Sequence, residues 1–249
     1  MNYNFDEIIN RKGTGSVRWD TIMAKYGEED LIPLTTADMD FRCAEPVCQA
    51  IRDAVDMGVF GYTKCTDSYY DALIKRFADK WKWQIEKEWI KFSPGVVGAI
   101  AYCIQGLTQP CDGIVLPVPI YHPFAHLIED NGRKILKAPL ANDNNYFSID
   151  FDTLESQLSK AESKVLIFCN PHNPIGRAWS YDELYQVCKL CLVHDVILIS
   201  DEIHCDFVFP GREFVSAAVP MRELGGLDSL IDFSEYIAIS VPELRIVKP

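Results

Sequence analysis

Two short apolar runs, separated by a helical pattern, stand out along the chain. Residues 165–169 (VLIFC) and 196–200 (VILIS) are rich in β-branched side chains, carry no charge and are too short for helices. Such runs are typical of buried strands in a parallel sheet. Between them apolar residues recur at helical spacing, and Ser180 is followed three positions later by Glu183, as in a capping box. The pattern predicts a strand–helix–strand crossover unit.

Polar residues follow both predicted strands. Asn170 and Asn173 come after the first strand, and Asp201 and His204 come after the second. Open α/β sheets bind ligands at the carboxyl ends of their strands. The sequence therefore predicts a ligand site at this edge of the sheet.

The same alternation of strand and helix patterns runs through most of the chain. Helices are predicted from Glu45, ending at Gly58, and from Asp67 as a capping residue, while residues 142–160 are predicted to form a loop and then a helix. The last forty residues show weak periodicity and one plausible strand, Tyr236–Val241. Alternation of this kind predicts an α/β fold with a mostly parallel sheet.

Composition and charge exclude some classes of function. The 249 residues are 48% hydrophobic and 24% charged, with a net charge of −12 and no basic stripe, which argues against a nucleic-acid or membrane-surface partner. The first ten residues contain no apolar signal segment, and no apolar run approaches the roughly 18 residues of a membrane span. Nine cysteines lie scattered in strand and helix patterns. This usage is typical of reduced thiols, so we expect a cytoplasmic protein.

Two residue spacings are compatible with redox or metal chemistry but favour simpler roles. Cys188 and Cys191 have the spacing of a redox pair, yet they lie on the apolar face of a predicted helix, which favours core packing. His122 and His126 are four residues apart, as in some metal sites. The sequence offers no evident third ligand, so no metal site is predicted.

Seven segments of the chain occur in the order and at the spacing found in one enzyme family, and the chain resembles the pyridoxal-phosphate (PLP) enzymes of the class I/II aminotransferase fold, fold type I. Within that family it resembles the cystathionine β-lyase (C–S lyase) branch of MalY/PatB type. NPHNPIGR and SDEIHCD together are specific to the family, and DMDF and GVFGY indicate the lyase branch. The segments are RKGTGSVRWD (11–20), LTTADMDF (34–41), GVFGYT (58–63), SPGVVGAI (93–100), PVPIYHPF (117–124), NPHNPIGRAWSYDEL (170–184) and SDEIHCDFVFPG (200–211).

The resemblance implies a domain organisation. Residues 1–45 would form an N-terminal arm and a small-domain segment. Residues 46–249 would form part of a three-layer PLP-binding large domain of the PLP-transferase type, incomplete at the C-terminus, with the resemblance fading near residue 217. The chain is therefore expected to be a truncated family member.

The turn before residue 96 is the expected phosphate site. Gly95, Val96 and Val97 open a predicted helix, where free backbone N–H groups and the positive dipole end favour an anion. Alone, this pattern is a weak signal and more often marks an ordinary strand–helix connection. The resemblance implies that the PLP phosphate binds there and that Tyr62 reaches it from a neighbouring subunit, in a homodimer. The alternative for Tyr62 is a packed loop aromatic.

Four residues are expected around the pyridine ring by the same resemblance. Tyr121 would stack on the ring, and Asn173, fixed by flanking prolines, would bind its phenolic oxygen. Asp201 would keep the pyridine nitrogen protonated, because an opposite charge favours the charged form. The protonated ring then acts as an electron sink. His204 would flank the ring, either adjusting the phenolic oxygen or serving as a structural histidine.

The family's Schiff-base lysine is missing from its expected place. The corresponding region, residues 228–235, reads DSLIDFSE, and the only lysine after Asp201 is Lys248. The family's arginine for the substrate carboxylate, which lies in the C-terminal small domain, is also absent. We therefore predict no catalytic lysine, no covalent attachment of PLP and impaired elimination.

The resemblance implies one activity and leaves two alternatives open. Its leading implication is β-elimination of cystathionine, cysteine or cysteine S-conjugates to a thiol, pyruvate and ammonia. The first alternative is an aminotransferase of the same fold, since the cofactor residues do not separate the two activities. The second is a non-catalytic PLP-binding or subunit-modulating protein.

Overall fold

The computed structural model describes residues 3–28, 31–235 and 237–239. Its contacts divide the chain into two compact units, residues 1–64 and residues 65–249. The sequence predicts a domain boundary after residue 45. Whether that boundary separates two domains of the family fold stays a prediction.

The first unit contains three helices among its described residues. Helix α3 begins at Glu45 and ends before Gly58, as the sequence predicts; Gly58 adopts φ 68°, a left-handed conformation that suits glycine, and its N–H donates to the Val55 carbonyl at 3.0 Å. The helices are α1 Val17–Asp20, α2 Ile22–Tyr26 and α3 Glu45–Met57.

Ion pairs hold the acidic loop of this unit. Arg11 lies 2.9 Å from a carboxylate oxygen of Asp38, and Arg18 lies 3.2 Å from Asp40. The Trp19 indole N–H also donates to Asp40, at 3.1 Å. These contacts join the loop to the first helix and neutralise its two carboxylates.

The second unit is built on a sheet of seven strands within the described residues. Their order is β1-β9-β8-β7-β6-β2-β3; neighbours from β8 to β3 are parallel, and β9 is antiparallel to both β8 and β1. A separate hairpin consists of β4 and β5. The strands are β1 Ile90–Phe92, β2 Gly113–Val118, β3 Lys134–Pro139, β4 Ala141–Asp143, β5 Tyr146–Ser148, β6 Ser163–Cys169, β7 Ile197–Asp201, β8 Leu230–Glu235 and β9 Ile237–Ile239.

Helices alternate with these strands, and short 3₁₀ turns cover Lys87–Trp89 and Leu227–Ser229. In the described part of the chain, no helix combines the length and the apolar character needed to cross a membrane. The helices of this unit are α4 Asp67–Trp81, α5 Val96–Leu107, α6 Pro123–Asp130, α7 Phe151–Leu158, α8 Tyr181–Val193 and α9 Ala218–Glu223.

Two hydrophobic clusters cover the two faces of the sheet. On one face, side chains such as Ile167 and Ile199 pack with α5 and α6. On the other, side chains such as Phe168 and Leu198 pack with α4, α7, α8 and α9. Alternate residues of a strand point to opposite faces, so a single strand contributes to both clusters. The result is the predicted three-layer α/β arrangement.

The predicted crossover unit is confirmed. Strand β6, helix α8 and strand β7 follow one another, and β6 pairs with β7 in parallel, with Cys169 opposite Asp201. Ser180 caps α8 in a complete capping box: its hydroxyl accepts from the Glu183 N–H, and the Glu183 carboxylate accepts from the Ser180 N–H at 2.9 Å.

Three local predictions were wrong. Residues 142–150 are not a plain loop, because they contain most of the β4–β5 hairpin. Thr66, rather than Asp67, is the N-cap of α4, and Asp67 is the first helical residue. Residues 218–235 form helix α9 and strand β8, which the weak periodicity did not predict. Of the strand predicted at Tyr236–Val241, Ile237–Ile239 is confirmed, and the remainder lies outside the described residues.

Candidate cofactor-binding site

Six of the seven described strands of this sheet run in the same direction and end at one edge, and candidate residues lie at or just after the ends of four of them. Strands β2, β6 and β7 are parallel, so the segments that carry Tyr121, Asn173 and Asp201 leave the sheet at the same edge. Strand β1 runs in the same direction as β8, because both are antiparallel to β9. The turn from Ser93 to Gly95 therefore opens at this edge too.

Asp201 is the last residue of β7 and is 5% exposed. One carboxylate oxygen accepts from the Ile203 N–H at 3.2 Å, and the other lies 3.9 Å from the Cys169 sulfur. Burial, with a smaller contribution from the neighbouring Glu202, raises the pKa of Asp201 to about 6. The Asp201 carboxyl group is thus shielded from water and accepts few hydrogen bonds, so a neighbouring cation would stabilise its ionised form.

The Asp201 side chain lies on the α5 face of the sheet. It follows Ile197 and Ile199 in the strand alternation, and both of these pack in the cluster that contains α5. Burial raises the pKa of the Cys169 thiol on the same face, so that thiol stays protonated beside the carboxylate. The carboxyl group and α5 therefore share one side of the sheet.

Helix α5 begins at this edge with a glycine N-cap. Gly95 precedes the first helical residue, Val96, and the Ser93 hydroxyl donates to the Gly95 carbonyl at 2.9 Å. The first N–H groups of a helix, here including those of Val96 and Val97, have no acceptor within the helix. A Cβ on Gly95 would meet no atom within 4 Å, so the space in front of the turn is open. This geometry suits an anion.

Tyr121 lies three residues beyond β2 and is half-buried. Its ring contacts Phe124 edge to face, at 5.5 Å between centroids, and packs against the cluster of α5 and α6. Tyr121 is therefore on the same face of the sheet as Asp201; its expected role as a ring-stacking residue stays a prediction.

Asn173 and His204 line one cleft of about 1060 Å³. The cleft lies between the β4–β5 hairpin, the turn after β6 and residues 204–213. Asn173 is half-buried, and its N–H points to the Cys169 sulfur at 3.5 Å. Partial burial lowers the pKa of His204, which favours the neutral imidazole at neutral pH. Both predicted residues thus line this cleft, whereas Tyr121, Asp201 and the turn at Gly95 are not among its lining residues in the described part of the chain.

Tyr62 belongs to the other compact unit, residues 1–64. Its side chain is fully exposed. Its expected role at the phosphate of a neighbouring subunit stays a prediction.

The sequence profile of the family described as aminotransferase class I and II matches residues 29–240. The chain belongs to this family. Among curated relatives, the cystathionine beta-lyase PatB of Bacillus subtilis is 42% identical over 210 residues, which are 84% of this chain and 54% of that protein. The MalY protein of Escherichia coli is 32% identical over 83% of this chain and 53% of its own length. The chain thus spans about half the length of these relatives.

Solved structures of family relatives give the same fold. Cystalysin from Treponema denticola, whose structure contains PLP, superposes with a TM-score of 0.91 at 32% identity, over 98% of this chain and 65% of that one. The PLP-bound C-S lyase of Staphylococcus hominis superposes with a TM-score of 0.87 at 31% identity, again over 98% and 65% of the two chains.

The region where the family resemblance implies a lysine is strand β8 in this chain. Strand β8 lies beside β7, with Asp201 opposite Phe233. Its side chains alternate: Ile231 and Phe233 pack on the α5 face, while Asp232 and Ser234 are buried and alternate with them. No amine is present in residues 228–235.

Sequence reasoning missed a pair of buried carboxyl groups next to the site. Glu202 and Asp232 are both fully buried, and the Ser234 hydroxyl contacts both carboxyl groups. Glu202 also accepts from the Ala217 N–H and the Ser200 hydroxyl, each at 2.8 Å. Burial raises the pKa of both acids, so the pair retains a proton more readily than free carboxyl groups do. The available signal was a second acid directly after the buried strand at residues 196–200.

Asn170, directly after β6, was also assigned no separate role, although its side chain connects the end of this strand to two other segments. It is fully buried, its amide nitrogen donates to the Val215 carbonyl at 2.8 Å, and its amide oxygen accepts from the Trp179 N–H at 3.2 Å. An asparagine directly after a buried strand was the available signal.

Proposed function

We propose that the chain represents the carbon–sulfur β-lyase branch of its family and binds PLP without covalent attachment. The observation that carries this proposal is the buried carboxyl of Asp201, which lies on the α5 face at the sheet edge where α5 begins. Relatives named as cystathionine beta-lyases and structures of PLP-bound C-S lyases support the choice of branch.

The α5 turn would hold the phosphate. Backbone N–H groups at Val96 and Val97 and the helix dipole favour a doubly charged anion, and the open space at Gly95 leaves room for it. In a homodimer, the exposed Tyr62 of a second copy would donate to the same phosphate. The phosphate group therefore sets the position of the cofactor relative to Asp201.

Four side chains would hold the ring. Tyr121 would cover one face, Asn173 would donate its amide to the phenolic oxygen, and His204 would flank the ring. When bound, PLP supplies a protonated pyridine ring that withdraws electrons from the α-carbon of the substrate. Asp201 would hold that proton on the ring nitrogen, since a cation beside its carboxyl favours the carboxylate form.

The family resemblance implies that a lysine moves the α-proton, and residues 228–235, where it would lie, contain none. A positioned general base contributes about 10²–10⁴-fold to such a step. Because no lysine lies between Asp201 and Lys248, elimination should be slow by about this factor or absent. The same absence supports the alternative of a non-catalytic PLP-binding or subunit-modulating protein.

The proposed substrate class is L-cystathionine, cysteine or a cysteine S-conjugate, which elimination would convert to a thiol, pyruvate and ammonia. Relatives named as cystathionine beta-lyases favour the lyase over an aminotransferase of the same fold. The family description and a relative named arginine–pyruvate transaminase, 24% identical, keep aminotransfer as the second candidate. We also propose that the protein works in the cytoplasm, which its nine free cysteines support.

The test compares PLP with pyridoxal, which lacks the phosphate, in equilibrium titrations of the purified chain. PLP should bind at least about tenfold more tightly, because only PLP can use the α5 turn. Pyruvate release from L-cystathionine with PLP present should not exceed release by free PLP. Equal affinity for the two compounds, or no binding of PLP, would overturn the proposed site. Rapid pyruvate release would overturn the impaired activity and leave the site intact.

A further inference from the structure

His172 belongs to the turn that carries Asn173, and its side chain is buried against the loop that carries Tyr121. Its side chain is 1% exposed, and Nε2 lies 2.8 Å from the Pro119 carbonyl oxygen. A carbonyl oxygen only accepts hydrogen bonds, so Nε2 carries the proton and donates. Burial lowers the pKa of the ring, which keeps it neutral at neutral pH. The contact is therefore a neutral, buried hydrogen bond.

The backbone of His172 is fixed on its own side of this bond. Its N–H donates to the Arg177 carbonyl at 2.7 Å, and its carbonyl accepts from the Gly176 N–H at 2.8 Å, which closes the turn. The imidazole contacts the Trp179 ring edge to face at 5.5 Å, and the Trp179 indole N–H donates to the Cys169 carbonyl at 2.9 Å. The donor is thus held rigidly on the end of β6.

The hydrogen bond connects two segments beyond the point where the backbone pairing of β2 with β6 ends. In the described residues, the ladder between β2 and β6 pairs Ile114 with Val165 and Val115 with Leu166, and it does not continue to the strand ends. Pro119 directly follows β2 and lies two residues before Tyr121. Beyond the ladder, the His172 ring spans the gap between the two segments.

We propose that His172 is a positioning residue whose bond to the Pro119 carbonyl sets the loop of Tyr121 relative to the turn of Asn173. In terms of the proposed function, it fixes the residue that covers the ring face relative to the one that binds the phenolic oxygen. The inference rests on that function for its meaning in cofactor binding. The coupling of the two loops is a property of the chain itself and can be tested without PLP.

Two substitutions separate the hydrogen bond from packing. His172→Phe keeps a ring of similar size against Trp179 but removes the Nε2 donor. His172→Gln places an amide N–H near the position of Nε2 and keeps the bond. The second ring nitrogen, Nδ1, has no hydrogen-bond partner in the described part of the chain, so neither variant removes a partnered group there. Leu154→Val, in α7, controls for a general loss of stability.

The first readout is amide hydrogen exchange of the chain without cofactor. His172→Phe should speed exchange about tenfold in both residues 118–126 and residues 170–177, the factor expected for loss of one buried hydrogen bond, while residues 197–201 stay protected. His172→Gln should restore slow exchange in both segments, and Leu154→Val should not accelerate them selectively. Exchange that changes only in residues 170–177, or in neither segment, would overturn the proposal.

The second readout is the dissociation constant of PLP. His172→Phe should weaken binding about tenfold, and His172→Gln should recover most of the affinity. If wild-type chain binds no PLP, the proposed function fails, and the exchange experiment still decides whether His172 couples the loops. If the loops are coupled and PLP binds equally to all variants, the positioning role at the cofactor is overturned.

Discussion

Replacing Asp201 by asparagine should stabilise the chain and weaken its binding of PLP. The carboxyl group is 5% exposed, and its burial raises the pKa from 3.8 to about 6. Asparagine has the same shape and can still accept from the Ile203 N–H, but it carries no charge that must be removed from water. It also cannot favour a protonated pyridine nitrogen, so PLP affinity should fall by about tenfold or more.

The size and the sign of the stability effect follow from the two pKa values. Below pH 3.8 the carboxyl is protonated in both the folded and the unfolded state, so its ionisation does not lower the free energy of unfolding. As the pH rises from 3.8 to 6, the unfolded state ionises first, so the folded state loses stability. Above pH 6 the loss is complete, and the pKa difference corresponds to about 3 kcal/mol.

The assay is urea unfolding of wild type and Asp201→Asn at two pH values. The variant should be more stable by about 1.5 kcal/mol at pH 5 and about 3 kcal/mol at pH 7.5, with an unchanged urea dependence. Asp150→Asn is the matched control of opposite sign, because the Asp150 carboxylate caps α7 by accepting from the Thr153 N–H at 2.9 Å, which lowers its pKa. The prediction is wrong if Asp201→Asn is no more stable than wild type at pH 7.5. It is also wrong if the difference in unfolding free energy does not depend on pH, because burial would then not destabilise the ionised Asp201 carboxylate.

Three further substitutions test other parts of the account. Gly95→Asp should leave α5 at least as stable, since aspartate is a good N-cap, and thermal unfolding measures this effect. The same change should weaken PLP binding more than tenfold, because the carboxylate repels the phosphate, and a PLP titration measures this effect. Glu202→Gln should reduce the loss of stability that sets in as the pH rises above the ordinary carboxyl pKa values of 3.8 and 4.5, because the unfolded state then ionises more readily than the buried Glu202–Asp232 pair. Urea midpoints measured from acidic to alkaline pH check this. Ser180→Ala should cost about 1 kcal/mol of unfolding free energy and leave PLP affinity unchanged.

Sequence periodicity predicted the crossover unit well because local and global signals agree there. The apolar runs of β6 and β7 are continuous, and Ser180 and Glu183 supply a complete capping box between them. The same holds for α3, where Gly58 takes the left-handed conformation that ends the helix. These signals belong to neighbouring residues, so no tertiary information is needed to interpret them.

The β4–β5 hairpin escaped prediction because its strands are three residues long and largely exposed. The turn signal was present: Asn144 and Asn145 both have positive φ, 48° and 68°, as a tight hairpin turn requires. Strand β8 escaped for another reason. Asp232 in its middle is a residue type depleted from strands, and its burial is tolerated through contacts with Ser234 and Glu202 that only the fold creates.

At the site, the sequence could place residues at an edge but could not describe their environment. The position of Asp201 at a strand end predicted its location, whereas its raised pKa depends on packing from distant segments. His172 and Glu202 each adjoin a predicted site residue and gave no pattern of their own. Their roles depend on partners that lie far away in sequence, Pro119 and Ala217.

The central proposal is that the chain binds PLP through Asp201 and the α5 turn without covalent attachment, since residues 228–235 contain no lysine. The most direct measurement is the mass of the chain incubated with one equivalent of PLP, under native and denaturing conditions, before and after borohydride reduction. One PLP per chain is expected in the native spectrum, and an unmodified mass is expected after denaturation, with or without borohydride. A native spectrum without PLP, or a borohydride-stabilised PLP adduct, would contradict the proposal.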